Sequence, residues 1–133
     1  MLKGDISNQT VPIIAFCFEN VLCKDFEKKL FGRFTYEIDR QVLAAINKLY
    51  WRDFRIVYVT FEVQGKKLKG LEENLENIGC LFNELIGAPD NETFKLWLRY
   101  NEGHYYDTDK DRVVELFPFS FMWEPQIVSM WVK

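Results

Sequence analysis

Two short runs of the chain are apolar on both alternating faces: 11–18 (VPIIAFCF) and 55–60 (RIVYVT). Such runs predict strands buried on both sides, as in a parallel sheet. Ile38, Val42, Ile46 and Leu49 recur at helical spacing, with Thr35 as the expected cap. Leu68, Leu71, Leu75 and Ile78 mark a second amphipathic helix, which Gly79 stops. Residues 81–87 (LFNELIG) read as a weaker third strand. Ala88-Pro89-Asp90 breaks the chain and caps a helix carrying Phe94, Trp97 and Leu98. Asn101-Glu102-Gly103 then turns into a short strand, HYYD, at 104–107. The mixed segment 19–37 reads as a loop with one helical turn, and 1–10 as a polar lead-in.

Strands and helices therefore alternate, which predicts a three-layer, Rossmann-like α/β sandwich with a mostly parallel central sheet. Right-handed crossovers put every strand's C-terminal end along one edge, where ligands of open α/β sheets bind. The length of 133 residues fits one domain spanning 1–133. The last stretch, 113–133, is aromatic-rich, with Phe117, Phe119, Phe121, Trp123 and Trp131. It is expected to finish the core as edge strands; the alternative is an exposed patch that joins another chain, a route to an oligomer.

Composition narrows the function classes. With 48 % hydrophobic and 17 % aromatic residues, the chain is not dominated by disorder. A net charge of −3 makes nucleic acid an unexpected partner, since that needs a basic excess. No apolar run reaches the roughly 18 residues of a membrane span, so no membrane partner is expected. The odd count of three cysteines, Cys17, Cys23 and Cys80, does not suit a disulfide framework, and the expected compartment is the cytoplasm. The single histidine, His104, excludes a His-based triad or a two-His metal site, and no Gly-rich phosphate loop occurs.

The chemistry is sought at the strand ends. The first strand ends in Cys17-Phe18-Glu19-Asn20-Val21-Leu22 and the second in Thr60. Lys95 lies on the helix leading to the fourth, which ends in Asp107-Thr108-Asp109-Lys110-Asp111. A carboxylate, a hydroxyl, an ammonium and a carboxylate cluster converging there would suit a phosphate held with Mg²⁺.

In this order the residues resemble the haloacid dehalogenase-like (HAD) superfamily of phosphatases, over roughly residues 11–115. That family's first motif is Asp-x-Asp-Gly-(Thr/Val)-(Leu/Val). The resemblance gives Cys17 the nucleophile position and Glu19 the acid/base position. It makes Thr60 and Lys95 phosphate-binding, with Lys66 or Lys67 the less favoured lysines, and it makes Asp107 and Asp111 the metal ligands, with Asp109 able to substitute. The spacer between Leu22 and Ile38 is short, and nothing extra lies between Thr60 and Lys95. The resemblance therefore implies a capless, open site, suited to a large ligand or a macromolecular surface.

The departures matter as much as the matches. A thiol at Cys17 replaces the family's nucleophilic and metal-binding Asp, and sulfur is a poor ligand for a hard cation. Glu19 keeps a carboxylate with one methylene more. Asn20 replaces Gly, the mildest change if the position needs φ > 0. Plainer readings stand beside each role. Cys17 is a small buried core residue, Glu19 a solvated loop acid, Thr60 a strand former and Lys95 an exposed helix lysine. The acids at 107–111 cap a helix, and His104 is a strand side chain. The expectation is a degenerate HAD-like protein without phosphatase activity, with weak Mg²⁺ binding at most. It would bind a phosphorylated small molecule or nucleotide, or act as a protein-interaction module. The alternatives are a Mg²⁺-dependent phosphomonoesterase with a Cys-x-Glu first motif, and a structural subunit.

Overall fold

Parallel strands cannot be joined by tight turns, so each pair needs a crossover, and here helices supply it. The computed structural model describes residues 12–127; the polar lead-in and Trp131 lie outside them. β1 (Ile13–Cys17) is the central strand and all five of its residues are buried. β4 (Arg55–Thr60) pairs with it on one side and β6 (His104–Asp107) on the other, both parallel. β5 (Glu84–Gly87) extends the sheet beyond β4, and β7 (Ser120–Met122) extends it beyond β6. The order is β5-β4-β1-β6-β7, all parallel.

This order reverses direction at β1. The chain moves outward through α1 (Arg40–Trp51) and α2 (Lys66–Asn77) on one side of β1. It then crosses back through α3 (Asn91–Asn101) and continues through α4 (Lys110–Glu115). Right-handed crossovers in opposite directions put the first two helices on one face and the last two on the other, which makes three layers. The crevice between the C-terminal ends of β1 and β6 is the switch point.

Alternation across the sheet divides the core. Phe16, Tyr58 and Tyr106 share one face, where Phe16 lies edge-on to Trp123 at 5.7 Å. Ala15 and Tyr105 share the other, where Tyr105 meets Phe94 of α3 at 4.9 Å. Leu43, Ile46 and Leu49 of α1, and Leu71 and Leu75 of α2, are buried. Each such side chain contributes roughly 1.5–3 kcal/mol of transfer free energy. Asp90 caps α3 through Thr93 N, at 2.7 Å, and Gly79 takes a positive φ of 99° after α2, as the sequence suggests.

Two expectations are corrected. The segment 19–37 is not a loop. It holds one π-helical turn, Phe18–Leu22, and an antiparallel hairpin of β2 (Cys23–Lys28) and β3 (Phe34–Ile38). Aromatic groups alternate with polar ones along it, and Phe18, Phe26, Phe34 and Tyr36 stack at 5.3–6.0 Å, which pins the hairpin beside the strand ends. Thr35 consequently sits in β3 rather than capping a helix. The cap is Asp39, whose carboxylate accepts from Gln41 N and Val42 N at 3.1 and 3.2 Å. In the aromatic C-terminal stretch, Trp123 is buried and Phe119 packs on the core, while Phe121 is exposed on the edge strand β7 and Phe117 is exposed ahead of it.

Candidate functional site

The sheet brings Cys17, Glu19, Asn20, Thr60 and Asp107 to one edge. Cys17 ends β1, Thr60 ends β4 and Asp107 ends β6. The π turn after β1 directs Asn20 across the crevice, and its amide donates to Asp107 Oδ1 at 2.8 Å. Asn20 is not among the residues at positive φ, so it replaces Gly through its side chain rather than through backbone freedom.

Asp107 is fully buried and its carboxylate is fully engaged. Oδ1 also accepts from Asp109 N at 3.1 Å. Oδ2 accepts from the Tyr105 hydroxyl at 2.5 Å and from Arg112 Nη1 at 3.1 Å. Two donors on each oxygen satisfy its usual capacity. Asp109 caps α4 through Arg112 N, at 3.2 Å, and this first turn brings the Arg112 side chain back over the end of β6.

Arg112 is held on every side. Its Nε donates to Asn91 Oδ1 at 3.1 Å, and its guanidinium lies 3.8 Å from the centroid of the Phe61 ring. Burial is the largest single influence and works against the charge, but the hydrogen bond to Asp107 and the electrostatic pull of Tyr105, Asp107 and Cys17 together outweigh it, and the group binds its proton more tightly than usual. An internal cation therefore sits against the carboxylate at the switch point.

The remaining groups are equally committed. Thr60 is buried; its Oγ1 accepts from Glu62 N and Val63 N, both at 3.1 Å, and its side chain is also bonded to Glu19. Glu19 Oε2 accepts from Phe61 N at 3.1 Å and lies 3.9 Å from Cys17 Sγ, while Oε1 is buried without a hydrogen-bond partner. Burial raises the Glu19 pKa above the usual carboxylate range. Burial, and then the Glu19 and Asp107 charges, push the Cys17 thiol well above its usual range, which favours the protonated thiol.

Lys95 is half-buried on α3, and Asp111 is exposed in the first turn of α4; like Cys17, Thr60 and Asp107, they are not among the residues lining the neighbouring cleft. His104 is exposed on β6 and stacks on Phe121 at 5.6 Å. That cleft, of about 620 Å³, lies between the hairpin and α4. Glu19, Asn20, Lys24, Lys28, Glu62 and Arg112 are among its walls, so it carries both acids and bases. Lys28 is paired with Glu62 at 3.2 Å.

A hard divalent cation such as Mg²⁺ needs several available oxygen ligands. Here both Asp107 oxygens are taken, a guanidinium rests on one of them, and Cys17 offers sulfur. Among the described residues no three His, Cys, Asp or Glu side chains are grouped to hold a metal. These residues do not fit the ion that the resemblance implies.

Sequence reasoning missed Arg112, Tyr105 and the Asn20 amide. One signal was available: a basic residue one helical turn beyond a capping acid, so that its side chain folds back over the preceding strand end.

No protein-family model and no curated protein matches the chain. Among solved structures it is similar to a hypothetical protein from Xanthomonas campestris, at 11 % identity and a TM-score of 0.56, covering 97 % of this chain and 75 % of that one. It is also similar to a protein from Streptomyces avermitilis MA-4680, provisionally named a HAD family hydrolase. There the identity is 12 % and the TM-score 0.58, covering 91 % of this chain and 72 % of that one. At these identities the likeness is one of fold: a Rossmann-like α/β domain.

Proposed function

We propose that this chain is a non-catalytic HAD-like domain whose former reaction centre serves as a polar structural core, and that it works as an interaction module. The observation that carries this reading is the Arg112 guanidinium on Asp107. Phosphoryl transfer in the family implied by the resemblance needs a nucleophile in line with the phosphorus and a cation on the developing charge. Here the nucleophile position holds a buried, neutral thiol. The carboxylate that would hold a cation is neutralised from within.

Binding of a phosphorylated ligand at the same place has less support. Thr60 spends its hydroxyl on the turn after β4 and on Glu19. Lys95 does not line the cleft, and the cleft residues include acids as well as bases. An anion would meet Glu19, Glu62 and Asp109 as readily as Lys24 or Lys28.

The test is hydrolysis of an aryl phosphate by the full chain, with Mg²⁺ and with a chelator. No Mg²⁺-dependent turnover is expected. Turnover that needs Mg²⁺ and disappears in Glu19→Gln would overturn the reading and restore the phosphomonoesterase.

A further inference from the structure

The tip of the β2–β3 hairpin carries a second surface, which adjoins the cleft through Lys28 and is independent of how the sheet edge is read. Lys28-Lys29-Leu30-Phe31-Gly32-Arg33 forms the turn. Leu30 is 78 % exposed and Phe31 91 % exposed, adjacent at the end of a protruding hairpin. Burial would favour turning at least one of them inward. Instead the backbone holds them outward. Phe31 takes φ 59°, a left-handed conformation that costs a bulky residue strain. Lys67 of α2 fixes this arrangement by donating to Phe31 O at 3.2 Å and to Gly32 O at 2.5 Å. A rigid turn in a strained conformation that exposes two large apolar side chains points to a use for them.

The surrounding charge indicates which use. Lys28, Lys29 and Arg33 line a shallow concavity with Leu30 and Phe31. Lys66 is exposed beside Lys67 at the start of α2. The acids nearby are Glu27 and Glu62, which pair at the surface with Lys29 at 3.0 Å and with Lys28 at 3.2 Å. Exposed pairs of this kind are weak and exchange readily. The cations outnumber these acids, on a chain whose net charge is −3. Positive charge is thus gathered where the apolar groups protrude.

We infer that the hairpin tip is a contact for an anionic lipid surface, with Leu30 and Phe31 entering the headgroup–acyl boundary and Lys28, Lys29, Arg33 and Lys66 facing the headgroups. Two exposed apolar side chains at a hairpin tip offer far less than the roughly 800 Å² per partner of a stable protein interface. Shallow insertion together with a basic cluster is the combination that holds a peripheral protein on an anionic bilayer. The sequence expectation of no membrane concerned spanning segments. Among the described residues no helix is long and apolar enough to cross a membrane, and a contact of this kind requires none.

The test is co-sedimentation of the full chain with vesicles of phosphatidylcholine, with and without phosphatidylserine. Phe31→Asn is the informative variant, because Asn accepts the left-handed conformation and removes the ring without forcing the turn open. Binding to phosphatidylserine vesicles is expected, weakening as salt rises, and Phe31→Asn should lower it on the order of tenfold or more at unchanged melting temperature. Absence of sedimentation with phosphatidylserine vesicles overturns the inference, as does equal sedimentation of the variant. Self-association of the free chain that Phe31→Asn abolishes, without vesicle binding, would assign the tip to a protein contact instead.

Discussion

Replacing Arg112 by Met probes the internal cation directly. Met keeps an unbranched apolar stem and deletes the guanidinium. It would remove the Nη1 contact to Asp107 at 3.1 Å, the Nε contact to Asn91 at 3.1 Å and the stacking on Phe61 at 3.8 Å. Taking one partner from a buried ion pair costs about 3–5 kcal/mol, because the other charge stays behind. Two features hold the cost toward the lower end. The Arg112 side chain keeps 16 % exposure, so water reaches its place, and Asp107 retains Tyr105, Asn20 and Asp109 N as donors. Loss of the cation–π contact adds about 0.5–1 kcal/mol. The expected loss is about 3.5–4 kcal/mol, or about 12 °C in Tm for a domain of this length. Urea unfolding at neutral pH measures it. Asp107→Asn in the Arg112→Met background removes the stranded charge, so the double variant should lose about 2 kcal/mol less than the two single losses together. A loss below about 1 kcal/mol for Arg112→Met, or simple additivity in the cycle, would refute the claim that this pair organises the site.

Three further outcomes follow from the same geometry. Glu19 has a raised pKa in the folded chain, so the folded state binds a proton that the unfolded chain releases, and stability should fall as pH rises from the ordinary value of 4.5 through the raised one; Glu19→Gln should flatten that dependence and stabilise the protein by about 1 kcal/mol at neutral pH, as read by unfolding across pH. Cys17→Asp with Glu19→Asp supplies the family's first-motif carboxylates but leaves Arg112 on Asp107, so this double variant should still show no Mg²⁺-dependent aryl phosphate hydrolysis, and measurable turnover would show that the guanidinium is no obstacle. Burial raises the pKa of all three thiols, Cys80 up to about 11, so an aromatic disulfide reagent at mildly alkaline pH should label the native chain far more slowly than the urea-unfolded one.

The sheet was legible because its strands are unusual in composition. Ile13–Cys17 and residues 56–59 are apolar at successive positions, which fits a strand covered on both faces. Gly79 and Asp90 punctuate the helices through local backbone chemistry that needs no tertiary information. The hairpin was not legible because its alternation sets aromatics against charges. Phe26, Phe34 and Tyr36 become an inner face only when Phe18 is there to meet them. The site divides in the same way. Strand-end residues such as Cys17, Thr60 and Asp107 follow from topology. Arg112 lies on a short helix and gains its meaning from Asn91 and Phe61, which reach it from other elements. Asn20 was read as a backbone substitute for Gly, and its role lies in an amide reaching a residue 87 positions away.

Calorimetric titration of Mg²⁺ into the unmodified chain at neutral pH, followed by titration of inorganic phosphate, bears most directly on the central claim. If the Asp107 carboxylate is fully neutralised by Arg112, Tyr105, Asn20 and Asp109 N, neither titration should produce a saturable heat at millimolar ligand. Saturable binding of Mg²⁺ at micromolar concentration, abolished by Asp107→Asn, would show that the guanidinium yields its place to a metal and would contradict the account.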